Sequence, residues 1–157
     1  MPLLISSSEV VEDAWVRLAD DQVIGNHKNV IVSLGRLKRQ KDDLTSLQLN
    51  LGLEIEPDVD VEDIVVFLDH LQLIVLQFKV FSDGRAFSQA RLLRDRYTFC
   101  GDIRAVGDVI CDQLSFMKRS GFNQFELAKG EDVDLAFQTF DQISMTYQIE
   151  LKQSGAR

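Results

Sequence analysis

The apolar run from Gln72 to Phe78, QLIVLQF, constrains the fold of this chain more than any other segment. Its continuous apolar character predicts a strand that is buried on both faces, as is typical of a parallel sheet covered by helices. Similar runs at Lys28–Leu34, Gly101–Val106 and Asn123–Leu127 predict further strands. Leu53–Glu56 predicts one more short strand before Pro57. Strands therefore recur along most of the chain.

Amphipathic segments separate these strands and predict helices. The expected helices cover 36–51 with Gly52 as the stop, 60–71 with Asp60 as the cap, 87–97, 108–119 starting directly after Gly107 with Asp108 as the cap, and 131–143. Strands that alternate with helices predict right-handed β-α-β connections. We therefore expect an α/β fold, a mostly parallel sheet of about four to five strands with flanking helices, arranged as an open layered sheet or a partial β/α barrel.

The two ends of the chain are less informative. The first 27 residues predict only an amphipathic piece around Trp15, and residues 144–157 fit either an edge strand or an extension of the last helix. The length of 157 residues, with no linker or repeat, indicates a single domain over 1–157. A barrel fragment would expose sheet edges, and we expect that a homodimer could cover them.

Charge is unevenly distributed along this acidic chain, whose formal net charge is −8. Between Asp42 and Phe78 there are nine acidic residues and no Lys or Arg, whereas Lys79–Arg119 contains eight basic and five acidic residues. The net charge argues against nucleic acid as a partner. The acidic stretch is a candidate docking surface for a redox partner, and the basic stretch suits anions. Any single arginine is better explained as a solvated helix-face residue.

Several classes of site are absent from the sequence. Cys100 and Cys111 are too few and too far apart for a disulfide framework, and Cys111 fits a buried small apolar residue. His27 and His70 lack a second metal ligand at a recognisable spacing, so no metal site is expected. Neither a secretory signal nor an apolar run long enough to cross a membrane is evident, and we expect a cytoplasmic protein with no membrane contact.

Two turns at the carboxyl ends of neighbouring predicted strands form the candidate binding site, because ligands of parallel sheets bind there. The candidate anion-binding residues are Asp83, Gly84, Arg85, Ser88, Gly107 and Asp108. Backbone amides and the Arg85 fork would bind a phosphate, sulfate, sulfite or carboxylate. Ordinary turn and capping roles explain the same residues somewhat better. No dinucleotide fingerprint or catalytic triad is present, so the catalytic residues and the cofactor are unknown.

The segments SDGRAFSQARLLRDRY and GDIRAVGDVICDQLSFMKRSGF, with LQLIVLQF and NQFEL, resemble a family of bacterial domains of unknown function that carries the label of an oxidoreductase involved in sulfite reduction. The resemblance covers about 29–140 and is most specific over 81–127. The matching motif positions are Asp83, Gly84, Arg85, Ser88, Ala90, Arg91, Arg94, Arg104, Gly107, Asp108, Asp112, Gln113 and Gly121.

This resemblance implies a place in sulfate assimilation and cysteine biosynthesis, since its members are typically encoded beside the haemoprotein of sulfite reductase. Our leading hypothesis is an accessory protein that docks on sulfite reductase or its electron donor and binds an oxyanion at the two turns. One alternative is a flavin- or nicotinamide-dependent oxidoreductase that acts directly, with the cofactor phosphate at the Gly107 turn. Another alternative is a non-catalytic sensor of a sulfur metabolite.

Overall fold

A computed structural model describes residues 3–80 and 84–141 of the chain. The described part contains a curled sheet of seven strands in the order β1-β7-β6-β5-β4-β3-β2. These strands are β1 (Leu3–Ile5), β2 (Val16–Arg17), β3 (Asn29–Ser33), β4 (Asn50–Ile55), β5 (Leu73–Phe78), β6 (Asp102–Gly107) and β7 (Gln124–Leu127). Only the β1–β7 pair is antiparallel. The mostly parallel α/β sheet is confirmed, but it has more strands than the four to five expected.

The helices connect strands that are neighbours in both sequence and space. They are α1 (Leu34–Arg39), α2 (Lys41–Ser46), a 3₁₀ helix (Val61–His70), α3 (Arg85–Arg91) with a π-helical continuation (Leu92–Arg96), a 3₁₀ turn (Cys111–Gln113), α4 (Leu114–Ser120) and α5 (133–141). Right-handed connections between consecutive parallel strands place their helices on the same face of the sheet. No helix in the described part combines the length and apolar character needed to cross a bilayer.

The alternation of side chains along each strand divides the sheet into two different faces. In β3, Val30 and Val32 join the large core between the sheet and the helices, whereas Ile31 belongs to a second, smaller cluster on the opposite face. That smaller cluster also contains Leu73 and Val75, with Trp15 packed against it. The helix-covered face therefore holds most of the core, and the opposite face is left with room for polar groups.

The sheet curls around this second face. Arg17 on β2 forms an ion pair of 3.2 Å with Glu126 on β7. Five strand-to-strand steps separate β2 from β7, about 24 Å in a flat sheet, which is more than the two side chains can bridge. The second face is therefore concave, as in the partial barrel that was one of the two arrangements expected from the sequence, the other being an open layered sheet.

The expected single helix over 36–51 is wrong. The structure has α1 and α2 instead, separated at Gln40, and the segment from Asn50 onward joins β4. Gly52 is not a helix stop but lies inside β4, where an added Cβ would come within 3.2 Å of the Trp15 ring. The leucine spacing resembled a helix, but pairing with β3 places Leu51 in the sheet opposite Val30.

The expected helix starting at Asp108 is also wrong at its beginning. Helical structure starts only at Cys111, with Ile110 in the capping position, so Asp108 is not a helix cap. The backbone of Gly107 has φ +94°, and the Asp108 amide donates a 2.7 Å hydrogen bond to the Phe78 carbonyl oxygen. This tight turn delays the helix. The alternatives for 144–157 lie outside the described residues.

Candidate functional site

The concave face carries a polar network along the ends of its strands. The members that lie on strands alternate with the core residues of those strands, so they point away from the helices. We call the upper half the group near the carboxyl ends, Arg17, Glu54, Gln77 and Glu126, and the lower half the group nearer the amino ends, Asp13, Trp15, Gly52, Arg104 and Gln124. The two halves differ in exposure and in what surrounds them.

Arg17 is the centre of the upper half. Its Nε lies 3.0 Å from Glu54 Oε1 and its Nη2 lies 3.2 Å from Glu126 Oε2. Gln77 Nε2 donates a 2.9 Å hydrogen bond to the other Glu54 oxygen. Burial opposes the charge of Arg17, but the carboxylates Glu126 and Glu54 outweigh it and raise the pKa of Arg17. The arginine therefore stays charged while 46% of its side chain remains exposed.

The lower half is closed by the segment 6–15, which connects the two edge strands β1 and β2 across the concave face. Arg104 is only 1% exposed, and its two terminal nitrogens each lie 3.3 Å from an Asp13 carboxylate oxygen. Arg104 Nε also donates a 3.0 Å hydrogen bond to Gln124. The Trp15 ring lies over Gly52, whose missing side chain makes room for it. These contacts fill the lower half with protein.

An open depression of about 780 Å³ lies over the upper half. It is lined by Arg17, Glu54, Gln77, Phe78, Lys79, Val106, Gly107, Asp108 and Glu126. A second depression shares Arg17, Glu54 and Gln77 with it, and a third shares Gly107 and Glu126. Together they form one groove along the carboxyl ends of the strands, the edge where α/β proteins bind ligands.

The groove presents both signs of charge. Among the residues that line its central depression, Arg17 and Lys79 are basic, whereas Glu54, Glu126 and Asp108 are acidic. Lys79 is also 3.6 Å from Glu56 at the edge. Since the acidic groups slightly outnumber the basic ones, the groove suits a ligand with a cationic and an anionic group better than a simple oxyanion.

A model of the family described as "Bacterial protein of unknown function (DUF934)" matches residues 52–156, which is more than half of the chain. The chain belongs to this family. The matched range begins and ends later than the range of about 29–140 expected from the sequence. It includes Glu54, Gln77 and Glu126 of the DUF934 groove, whereas Arg17 lies before it. A search of curated proteins found no match.

The six residues predicted from the sequence are not brought together equally in this DUF934 protein. Gly107 and Asp108 line the central depression. Gly84, Arg85 and Ser88 line none of the three depressions and lie exposed at the start of α3. Asp83 lies outside the described residues. Among the described residues of the two predicted turns, those of the second line the groove.

The backbone of that second turn is engaged within the chain. The Asp108 amide donates to Phe78, and the Val109 amide donates a 2.9 Å hydrogen bond to the Gly107 carbonyl oxygen. An added Cβ at Gly107 would lie 2.3 Å from the Phe78 oxygen, so the close approach requires glycine. Amide cradling of an anion, which the sequence suggested here, would need donors that these two hydrogen bonds already use.

The thiols and the motif arginine Arg94 have structural surroundings. Burial raises the pKa of the Cys111 thiol to about 11, with the nearby Glu131 adding to the shift, so the thiol is protonated at neutral pH. Arg94 donates to the carbonyl oxygens of Phe99, Gly101 and Gly121, at 2.8, 2.7 and 2.9 Å. Desolvation lowers the pKa of Arg94. This arginine joins the π-helical segment to the start of β6 and the end of α4.

Sequence reasoning missed the four residues of the upper half. Glu54, Gln77 and Glu126 are polar interruptions at alternate positions of otherwise apolar strands, in LGLEI, LIVLQF and QFEL. This pattern is a usable signal, because a polar residue on one face of a buried strand needs a partner. Arg17 gave no such signal, since its strand has only two residues. Among the described residues, no group of three or more potential metal ligands is clustered.

Proposed function

We propose that this protein is an accessory protein of assimilatory sulfite reduction that binds a small polar metabolite in the groove over the upper half. The sequence resemblance supports the pathway. The groove supports the binding role, because its size lies within the range of small-molecule sites, about 300–1,000 Å³. The proposed protein acts together with sulfite reductase or its electron donor, and its exposed acidic stretch over 42–69 is the surface that meets a basic redox partner.

The observation that carries the proposal is the position of Arg17 between Glu54 and Glu126. The hydrogen bonds of Arg17 to Glu54 and Glu126 use Nε and Nη2, so Nη1 forms the remaining edge of the guanidinium group. A ligand carboxylate or sulfur oxyanion would bind that remaining edge of the guanidinium fork. A ligand ammonium group would bind Glu126 or Asp108, both at the same depression. Small α-amino acids, including sulfur amino acids, have this combination of charges.

A binding experiment tests the groove directly. L-cysteine, L-serine, sulfite and sulfate are titrated into the purified protein by calorimetry, and thermal unfolding is followed at the same concentrations. We expect an amino acid to bind and to raise the melting temperature, since a ligand that binds only the folded state stabilises it. Binding should be lost in Arg17→Ala and kept in Arg39→Ala, which removes an exposed arginine outside the groove.

The stability of Arg17→Ala should fall by less than about 1 kcal/mol, because its ion pairs are partly exposed. A loss of binding in this variant would then reflect lost contacts rather than unfolding. Equal affinity of Arg17→Ala and the unmodified protein for every titrated compound would contradict the groove proposal. A yellow preparation, or one that binds nicotinamide dinucleotide, would favour the direct oxidoreductase alternative.

A growth experiment tests the pathway. A strain that lacks the protein should grow poorly on sulfate or sulfite as the sulfur source and normally on sulfide or cysteine. Complementation with the unmodified gene should restore growth, and complementation with Arg17→Ala should not. Equal growth of the deletion strain on all four sulfur sources would remove the link with sulfite reduction and leave the groove without a pathway.

A further inference from the structure

The outer surface of the helical layer has an acidic half and a basic half side by side. In the acidic half, α2 lies against the 3₁₀ helix, since Lys41 Nζ is 5.5 Å from the centre of the Phe67 ring. The exposed acidic residues of these two helices are Asp42, Asp43, Glu62, Asp63 and Asp69. Val66, on the same 3₁₀ helix, is 66% exposed and gives this half an apolar centre.

The basic half is formed by α3 and α4. Phe116 of α4 packs against Phe87 of α3 with ring centres 4.6 Å apart, yet Phe116 remains 39% exposed. The guanidinium carbons of Arg91 and Arg119 lie 5.4 and 5.8 Å from the centre of the Phe116 ring. Lys118 adds another exposed positive charge. An exposed aromatic ring between two arginines has the composition of an interface hot spot.

The two halves adjoin each other through Gln89 of α3. Its side-chain amide donates hydrogen bonds of 3.1 and 2.9 Å to the carbonyl oxygens of Glu56 and Val59, in the loop that leads into the 3₁₀ helix. The border between acidic and basic surface therefore runs between the 3₁₀ helix and α3. A two-fold rotation about an axis near this border would place each half opposite the oppositely charged half of a second copy.

We propose that a second copy of this chain covers the helical layer in a two-fold symmetric dimer, with the acidic half of each copy against the basic half of the other. Charge complementarity orients the contact, while Val66 and Phe116 supply its apolar centres. The sequence alone suggested that a dimer would cover the sheet edges. The edge strands β1 and β2 have only three and two residues, so they present little unpaired backbone.

The dimer uses the acidic surface that the proposed function assigns to a redox partner, so the partner would compete with the second copy for this surface. The dimer itself does not depend on the identity of the groove ligand or on the pathway. Its failure would leave the ligand titration and the growth experiment unaffected, and their failure would leave the dimer unaffected.

Charge reversal tests the dimer. One variant carries Glu62→Lys and Asp63→Lys, the other carries Arg91→Glu and Arg119→Glu, and all four side chains are exposed. Masses are measured by light scattering and sedimentation in low salt. We expect the unmodified protein to dimerise and each variant alone to dissociate with a constant at least roughly tenfold higher, because like charges then face each other.

Mixing the two variants decides the result. In a two-fold dimer of one copy of each variant, both contacts again join opposite charges, so an equimolar mixture should recover the dimer mass. Lys28→Glu with Lys129→Glu, which changes the charge outside the helical layer, should leave the dimer intact. A monomeric unmodified protein, or two folded variants that stay monomeric when mixed, would overturn the proposal. Folding of each variant is checked by circular dichroism.

Discussion

The lower and upper halves of the concave face belong to the same sheet, but they use an arginine in opposite ways. In the lower half, Arg104 is 1% exposed, paired with Asp13 and covered by the segment that carries Trp15. In the upper half, Arg17 is 46% exposed and lies at an open groove. The first arginine closes the curl, and the second remains accessible to a ligand. Polar residues inside a curled sheet can therefore serve structure at one end and binding at the other.

The largest effect on this contrast is expected at Gly107, because its backbone packs tightly although it lines the open groove. We expect Gly107→Ala to lower the free energy of unfolding by about 3 kcal/mol or more, since it combines a positive φ with a contact to the Phe78 oxygen. Gly130→Ala is the matched control, with φ +90° and no atom within 4 Å of its added Cβ. It should cost about 1 kcal/mol.

Urea unfolding measures both glycine variants. Equal losses of stability in the two variants would show that the Gly107 turn is packed no more tightly than the Gly130 turn. If both variants keep the stability of the unmodified protein, the same conclusion about the Gly107 turn holds.

Removing one carboxylate from each half sharpens the comparison further. Asp13→Ala leaves the buried Arg104 without a counter-charge, so we expect a loss of about 3 kcal/mol. Glu126→Ala leaves Arg17 exposed and still paired with Glu54, so we expect a loss below about 1 kcal/mol. Trp15 is the only tryptophan of the chain, and its fluorescence should report release of the covering segment in Asp13→Ala.

In Asp13→Ala, the red shift of Trp15 emission should occur at lower urea than the loss of far-ultraviolet dichroism. Asp13→Asn retains a hydrogen-bond acceptor and should give an intermediate stability. If Asp13→Ala and Glu126→Ala lower the free energy of unfolding by the same amount, the different burial of Arg104 and Arg17 has no effect on stability.

The smallest effect concerns the two thiols. Like the two arginines, one is exposed and the other is buried. Cys100 is exposed, whereas Cys111 is buried and its pKa is raised from 9.0 to about 11. The folded state holds this proton more tightly than the unfolded state, so the contribution to stability is present below pH 9 and is lost as the pH rises through about 11. We expect a decrease of about 1 kcal/mol between pH 8 and pH 10.

Cys111→Ala should lack this part of the pH dependence, while Cys100→Ala should retain it. Alkylation followed by mass spectrometry gives a second measurement, since native protein should be modified at Cys100 before Cys111. Rapid native modification of Cys111 would contradict its burial.

Much of the sheet was predictable because five of its strands are long enough to show apolar runs. The sequence predicted β3 to β7 within a few residues, and the strand at 73–78 was the clearest. The strands β1 and β2 were missed because three and two residues carry no periodicity. Leu51 was assigned to a helix and Gly52 to its stop, because local spacing cannot reveal pairing with a strand that lies about twenty residues earlier.

The site was predictable only as an edge of the sheet. Gly107 and Asp108 do lie there, because the carboxyl end of a strand follows from chain direction alone. The inward-facing polar residues were overlooked because QLIVLQF was interpreted as buried on both faces, although Gln77 interrupts it. The pairing of Arg17 with Glu126 depends on the curl of the whole sheet, which no local pattern in the sequence encodes.

The antiparallel pairing of β1 with β7 has a consequence for how the chain folds. Leu3 lies opposite Leu127, so β1 has no partner strand in the sheet until β7 has been synthesised. The successive parallel units can assemble meanwhile, each on the one before it. Of the seven described strands, β1 therefore docks only after β7, and this distant contact should govern a slow step of folding.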